Sequence, residues 1–151
     1  MTAGPDETRR KETCAGFAAS AKPVKSRAQP ASKAAIGQNA EDIAAAFLEQ
    51  QGLVVLMRNY RRKSGELDVV ARDGDVLVIG EVRTRSSEAF GGAAASIDGW
   101  KRHKIIRAAT QLLQQRQDLA RLRVRFDVLV IHGASDAHPR VEWIKHAFEA
   151  T

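Results

Sequence analysis

Cysteine is almost missing from this 151-residue chain. Cys14 stands alone, so no internal disulfide can form and paired-thiolate metal sites are excluded. Proline is scarce as well, and three of its four residues (Pro5, Pro23 and Pro30) fall in the first 35 positions. No apolar run approaches the ~18 residues that a membrane-spanning helix needs. The first residues lack the apolar stretch of a secretory signal, so a reducing cytoplasm is the expected compartment. Serine-centred nucleophile elbows, Walker-type phosphate loops and Cys-x-x-Cys pairs are all missing, which removes the commonest signatures of hydrolases, nucleotide-binding enzymes and thiol redox proteins. His103, His132, His138 and His146 show no metal-ligand spacing and read as incidental.

Basic charge is present in excess. The net charge is +6, with an isoelectric point near 9.9. A balance of this kind suits a polyanionic partner, and nucleic acid is the commonest. Residues 1–35 carry seven Lys/Arg against three Asp/Glu and almost no large apolar side chain. They read as a disordered basic arm, either a non-specific tether to nucleic acid or a solvated extension without a role. Residues 36–151 then form one domain, long enough to bury a core.

Within that domain the patterning alternates between helix and strand. Residues 38–51 place Ala40, Ile43, Ala44, Phe47 and Leu48 on one helical face, with Gly52 as a stop. Glu41 borders that face and can point over the sheet edge, or simply favour the helix dipole. Residues 53–60 read as a strand, followed by a basic loop, Arg61-Arg62-Lys63. Two further strands, 67–71 and 76–82, flank a tight turn. Residues 84–97 form a Gly-rich connection through Phe90-Gly91-Gly92. Asp98 caps a helix over 99–116, whose apolar stripe is Ile105, Ala109, Leu112 and Leu113 and whose flanks carry Lys101, Arg102, Lys104 and Arg107. Residues 122–131 become wholly apolar, as in an interior strand. Residues 140–148 supply a last strand and a short turn or helix around Trp143, Ile144 and Phe148. The order predicts an α/β sandwich, a mixed central β-sheet flanked by helices.

The hairpin around Asp73-Gly74 carries the chemistry. With Asp73-Gly74 as its two-residue turn, Arg72 faces Asp75, Asp68 faces Ile79 and Glu66 faces Glu81. Asp68 and Glu81 are then diagonal neighbours on one face, roughly 7–8 Å apart at the backbone, and Arg83 shares that face. A register shifted by one residue would separate the acids. Paired carboxylates inside apolar strands suit Mg²⁺ or Mn²⁺, which prefer oxygen ligands and serve phosphodiester chemistry. The plain alternative is a surface hairpin with ordinary charges at its mouth. Asp68 lies in a β-branched run, where an unpaired acid is costly. Arg61, Arg62 and Lys63 beside the acids suit a phosphate backbone, as a solvated turn also would. Arg85, Lys101 and Lys104 complete the candidate nucleic-acid contacts.

The chain resembles the YraN family of small bacterial proteins, which are similar to nucleases of the restriction-endonuclease-like fold and to archaeal Holliday-junction resolvases. The residues that carry the resemblance span about 36–149. They are Gly37, Glu41 and Ala44-Ala45, then Gly52 and Asn59, then Gly65-Glu66-Leu67-Asp68 with Ala71-Arg72-Asp73-Gly74. Glu81-Val82-Arg83-Thr84-Arg85, Phe90-Gly91, Ile97-Asp98 with Lys101, Ala108-Ala109, Arg125-Phe126-Asp127-Val128 and Ala147-Phe148 follow. The resemblance implies a restriction-endonuclease-like core in which Asp68 and Glu81 bind the metal, the Val82 carbonyl helps, and Glu41 joins as a further acid. It also implies a homodimer. The family pattern has lysine where this chain has Arg83, and a bulky apolar residue where it has Gly80. Arginine is always protonated and cannot act as a base, though it can hold phosphate charge. Gly80 is expected to remove a packing side chain and weaken a buried strand.

Three readings follow. The first is a Mg²⁺- or Mn²⁺-dependent DNA endonuclease, acting on branched or damaged DNA, with Asp68, Glu81 and Arg83 at its centre. The second is a nucleic-acid-binding module that kept the fold and lost catalysis through Arg83. The third, a protein-interaction factor, has no positive support in the sequence.

Overall fold

The protein is described by a computed structural model over residues 32–86 and 97–150. Cys14, most of the basic arm and Phe90-Gly91-Gly92 lie outside the described residues. The elements run α1 (Lys33–Gln50), β1 (Val54–Arg62), β2 (Gly65–Asp73), β3 (Val76–Arg85), α2 (Gly99–Gln115), β4 (Arg123–His132) and β5 (Arg140–Phe148). Ser32 starts α1 by accepting the Ala35 N–H on its hydroxyl, five residues before the apolar stripe alone suggested. Asp98 starts α2 in the same way, its carboxylate accepting the Lys101 N–H at 2.8 Å.

The five strands form one sheet in the order β1-β2-β3-β4-β5. All neighbours are antiparallel except β3 and β4, which are parallel and joined through α2. Parallel neighbours need such a crossover, and the strands it joins are buried on both sides. Ala40, Ala44 and Leu48 of α1 pack with Val69, Ala71, Val78, Leu129 and Ile131. Ile105, Ala108, Ala109 and Leu112 of α2 pack with Val70, Leu77, Ile79, Val128 and Val130. Two apolar clusters thus lie on opposite faces of the central strands. This is an α/β fold consistent with a restriction-endonuclease-like core.

The hairpin register differs from the expected one. Asp73 pairs with Val76, so the turn is Gly74-Asp75 rather than Asp73-Gly74. Gly74 has φ of +61°, and a tight hairpin turn with glycine first requires that left-handed residue. The ladder is therefore displaced by two residues: Val69 faces Gly80 and Arg72 faces Leu77. A displacement of two preserves the face of every side chain. The next step of the ladder then sets Asp68 level with Glu81 instead of diagonal to it.

Three other expectations are corrected. Arg61 and Arg62 lie in β1, and the turn between β1 and β2 is Lys63-Ser64 alone. Residues 140–148 form one continuous strand, β5, with a bulge where His146 has φ of +57°. Gly80 leaves no hole, because a Cβ there would meet Val69 Cγ1 at 2.7 Å and Leu129 Cδ1 at 3.0 Å. Those two side chains fill the space that a bulkier residue would take.

Candidate functional site

The site lies where the central sheet divides. Pairing between β2 and β3 stops at Val69 and Gly80. Beyond that point β2 continues beside β1 as far as Gly65, and β3 continues beside β4 as far as Arg85. Asp68 and Glu81 are the first residues past the last pair, one on each side of the opening. Asn59, which lies opposite Asp68 on β1, has φ of +52°. At the same level the in-and-out alternation of β2 is interrupted: Val69 packs towards α1, yet Leu67 packs towards α2. This local twist makes Asp68 reachable from both helices.

The Val82 N–H donates to Asp68 Oδ2 at 2.9 Å, and Lys101 Nζ stands 3.5 Å from Glu81 Oε1. The Glu81 side chain is only 11% exposed. Its carboxyl and that of Asp68 are within hydrogen-bonding reach of one another. Burial, followed by the Asp68 charge, pushes the Glu81 carboxyl up to about 8, with Lys101 opposing. Asp68 is raised too, chiefly by burial, against the pull of the Val82 N–H. Two unit charges about 4 Å apart repel by about 4 kcal/mol at an effective dielectric near 20. That is ample to keep one proton on the pair near neutral pH. Glu41 on α1 is also raised, by burial and then by Asp68, while a hydrogen bond from Asn59 opposes the shift. The first-helix acid therefore belongs to the same electrostatic neighbourhood.

The donor set suits a hard divalent cation in one respect and limits it in another. Two opposed oxygen ligands carry more negative charge than Lys101 offsets, and a cation between them would relieve it. Among the described residues, however, no three His, Cys, Asp or Glu side chains stand close enough together to hold an ion. Magnesium is ordinarily held by one or two carboxylates, with water and substrate phosphate completing its shell, so a pair meets its need.

The cationic candidates divide into two groups. Arg61, Arg62, Lys63, Lys101 and Lys104 line one cavity of about 390 Å³ with Gly65, Glu66, Trp100 and Ile105. The β1–β2 turn is held against α2 to form it. Ser64 Oγ donates to Gln111 Oε1 at 2.7 Å, and the Tyr60 hydroxyl donates to Gln115 Oε1 at 3.0 Å. Gly65 has φ of +152°, and a Cβ there would lie 2.7 Å from the Lys104 carbonyl oxygen. Only glycine permits so close an approach of strand to helix. Lys101 joins this groove to Glu81. Arg83 is half-buried, level with Val130 of β4 and on the Glu81 face by alternation. Arg85 lines a different cavity, of about 360 Å³, with Ile36, Gly133 and Asp136.

Two features of the site escape sequence reasoning. Lys101 reads as one of several basic residues on a helix flank, and nothing local announces its approach to Glu81. Trp100 reads as part of the helix start, yet it is 70% exposed at the groove.

The comparisons with known proteins agree with one another. The family described as "Uncharacterised protein family UPF0102" matches residues 40–131. A UPF0102 protein of Pseudomonas fluorescens is 46% identical over 114 residues, covering 76% of this chain and 93% of the relative. One from Pseudomonas putida is 44% identical over 119 residues, covering 79% and 96%. One from Pseudomonas aeruginosa is 44% identical over 115 residues, covering 76% and 92%. These descriptions state a family and no activity.

Proposed function

The chain belongs to the UPF0102 (YraN) family, and from that premise we propose that it is a metal-dependent DNA endonuclease. The observation that carries this reading is the opposed, buried pair Asp68 and Glu81, both raised by burial and bordered by a basic groove. Asp68, Glu81 and the Val82 carbonyl would hold Mg²⁺ or Mn²⁺, with Glu41 as an outer acid. A divalent cation supplies Lewis acidity and a hydroxide nucleophile near neutral pH.

The chain's own residues supply the rest. The Val82 N–H fixes the Asp68 carboxylate. Lys101 holds Glu81 and places a positive charge at the mouth of the groove, where phosphate charge develops during attack. A guanidinium cannot act as a base, so Arg83 would serve phosphate charge rather than proton transfer. The lysine at this site, Lys101, is thus presented from α2 instead of from β3. Arg61, Arg62 and Lys63 position the backbone of the nucleic acid without reading sequence. A second reading, binding without cleavage, is favoured by Arg83 alone.

The test is a panel of branched, single-stranded and duplex DNA incubated with Mn²⁺. The wild type is expected to cut at least one of them. Asp68→Ala is expected to lower the rate by more than about a hundredfold, because even groups that only support a metal ligand are worth about 10–100-fold. Salt-dependent binding without cleavage moves the protein to the second reading. Cleavage unchanged in Asp68→Ala refutes the first.

A further inference from the structure

We infer that the basic groove takes an unpaired nucleotide, whose base stacks on Trp100 while its phosphates lie along Arg61, Arg62, Lys63, Lys101 and Lys104. This rests on the nucleic-acid reading above and narrows its substrate to single-stranded or splayed DNA beside the scissile phosphate.

Trp100 and Val54 are the exposed large apolar side chains among the described residues. Val54 opens β1, whereas Trp100 lines the groove. An indole left 70% exposed forgoes the burial that usually fixes so large a side chain. Lys104 Nζ lies 5.2 Å from its ring centroid, so a cation already sits over the indole. A stacked base would bring its phosphate within reach of the same ammonium. The groove holds one countercharge, Glu66, and that carboxylate is paired with Arg61 at 3.5 Å.

Strandedness follows from the stacking itself. Inside a duplex both faces of a base are covered by its neighbours. A tryptophan can take only a base that is unpaired or terminal, and it does so with little regard to sequence. Lys101 lines this groove and also touches Glu81, so the unpaired nucleotide would adjoin the acid pair.

The experiment measures binding of the full chain to a fluorescent oligothymidylate of about 12 nucleotides and to relaxed closed-circular duplex DNA, which has no terminal base. Wild type, Trp100→Ala and Trp100→Phe are compared. Trp100 is exposed, so its removal spares the core. Trp100→Ala is expected to lose about tenfold in affinity for the single strand and less than about twofold for the duplex. Trp100→Phe keeps most of the affinity. Single-strand binding quenches tryptophan fluorescence in the wild type and no longer does so in Trp100→Phe, in which Trp143 is the remaining indole. Equal losses on both DNAs, or none, overturn the stacking role while leaving the nucleic-acid reading intact. A wild type that binds neither DNA overturns both.

Discussion

Asp127 and the Asp68–Glu81 pair are acids buried in the same sheet, and they could hardly be supplied more differently. Asp127 on β4 is fully buried and accepts four hydrogen bonds. Arg125 gives two, from Nε at 2.8 Å and from a terminal guanidinium nitrogen at 2.9 Å. Trp143 Nε1 gives one at 2.9 Å, and the His146 N–H, turned out of the ladder by the β5 bulge, gives one at 2.9 Å. Each lone pair that burial strips of water is repaid, and β5 is fastened to β4. Among the described residues, Asp68 accepts from the Val82 N–H, Glu81 lies beside the Lys101 ammonium, and the two carboxyls hydrogen-bond to each other. A buried acid with a full set of donors is structural. A buried pair that keeps a proton because burial and mutual repulsion disfavour its charge is what the proposed function would have exchange that proton for a cation.

The sharpest way to break this contrast is to remove each acid and compare stabilities by urea denaturation. Asp127→Ala removes the acceptor of the Trp143 and His146 N–H groups and leaves Arg125 with the more distant Asp73, at 3.7 Å. It should cost about 3–5 kcal/mol, as breaking a buried ion pair usually does. Asp68→Asn should cost far less. Equal losses at both centres would end the distinction.

The pH dependence sharpens it next. The Glu81 carboxyl sits at about 8 when folded, against an ordinary value of 4.5. A raised acid contributes stability that is complete below its ordinary value and lost as pH climbs to the folded one. The metal-free wild type should therefore weaken between about pH 5 and 9. Glu81→Gln stays neutral throughout. It should match the wild type near pH 5 and exceed it by roughly 2–4 kcal/mol near pH 9, at 1.36 kcal/mol per pKa unit. Parallel denaturation curves at both pH values would show that the pair carries no strain.

Smaller effects test the frame that holds the acids apart. Gly65→Ala drives a methyl group towards the Lys104 carbonyl and should cost about 1–3 kcal/mol, with loss of DNA affinity as the turn lifts off α2. Lys63→Ala should leave stability unchanged and weaken DNA binding several-fold. It should reduce the slope of log affinity against log salt by about 1. A salt slope identical to the wild type would remove Lys63 from the interface.

Much of the frame is legible in the sequence because it is local. Period-two patterning located β2 and β3, but the break in alternation between Leu67 and Val69, at Asp68 itself, cannot be read from parity. Nor can the exact partners, because Asp73-Gly74 and Gly74-Asp75 are both acceptable turns on paper. The positive φ of Gly74 decides between them, and it moves Asp68 from a diagonal position to one opposite Glu81. Contacts across sequence distance were invisible. The Lys101–Glu81 approach depends on how α2 crosses the sheet, and the filling of Gly80 depends on Val69 and Leu129 from two other strands. The single strand over 140–148 was obscured because its bulge is secured by Asp127, 19 residues before His146.

Under the proposed function, the Asp68–Glu81 pair exchanges its proton for a divalent cation. Titration of Mn²⁺ into the full chain by calorimetry, in buffers of different ionisation enthalpy near neutral pH, tests it directly. Binding with release of about one proton per ion is expected, with loss of that binding in Asp68→Asn. Mn²⁺ that does not bind the wild type, or that binds Asp68→Asn equally well, would contradict it.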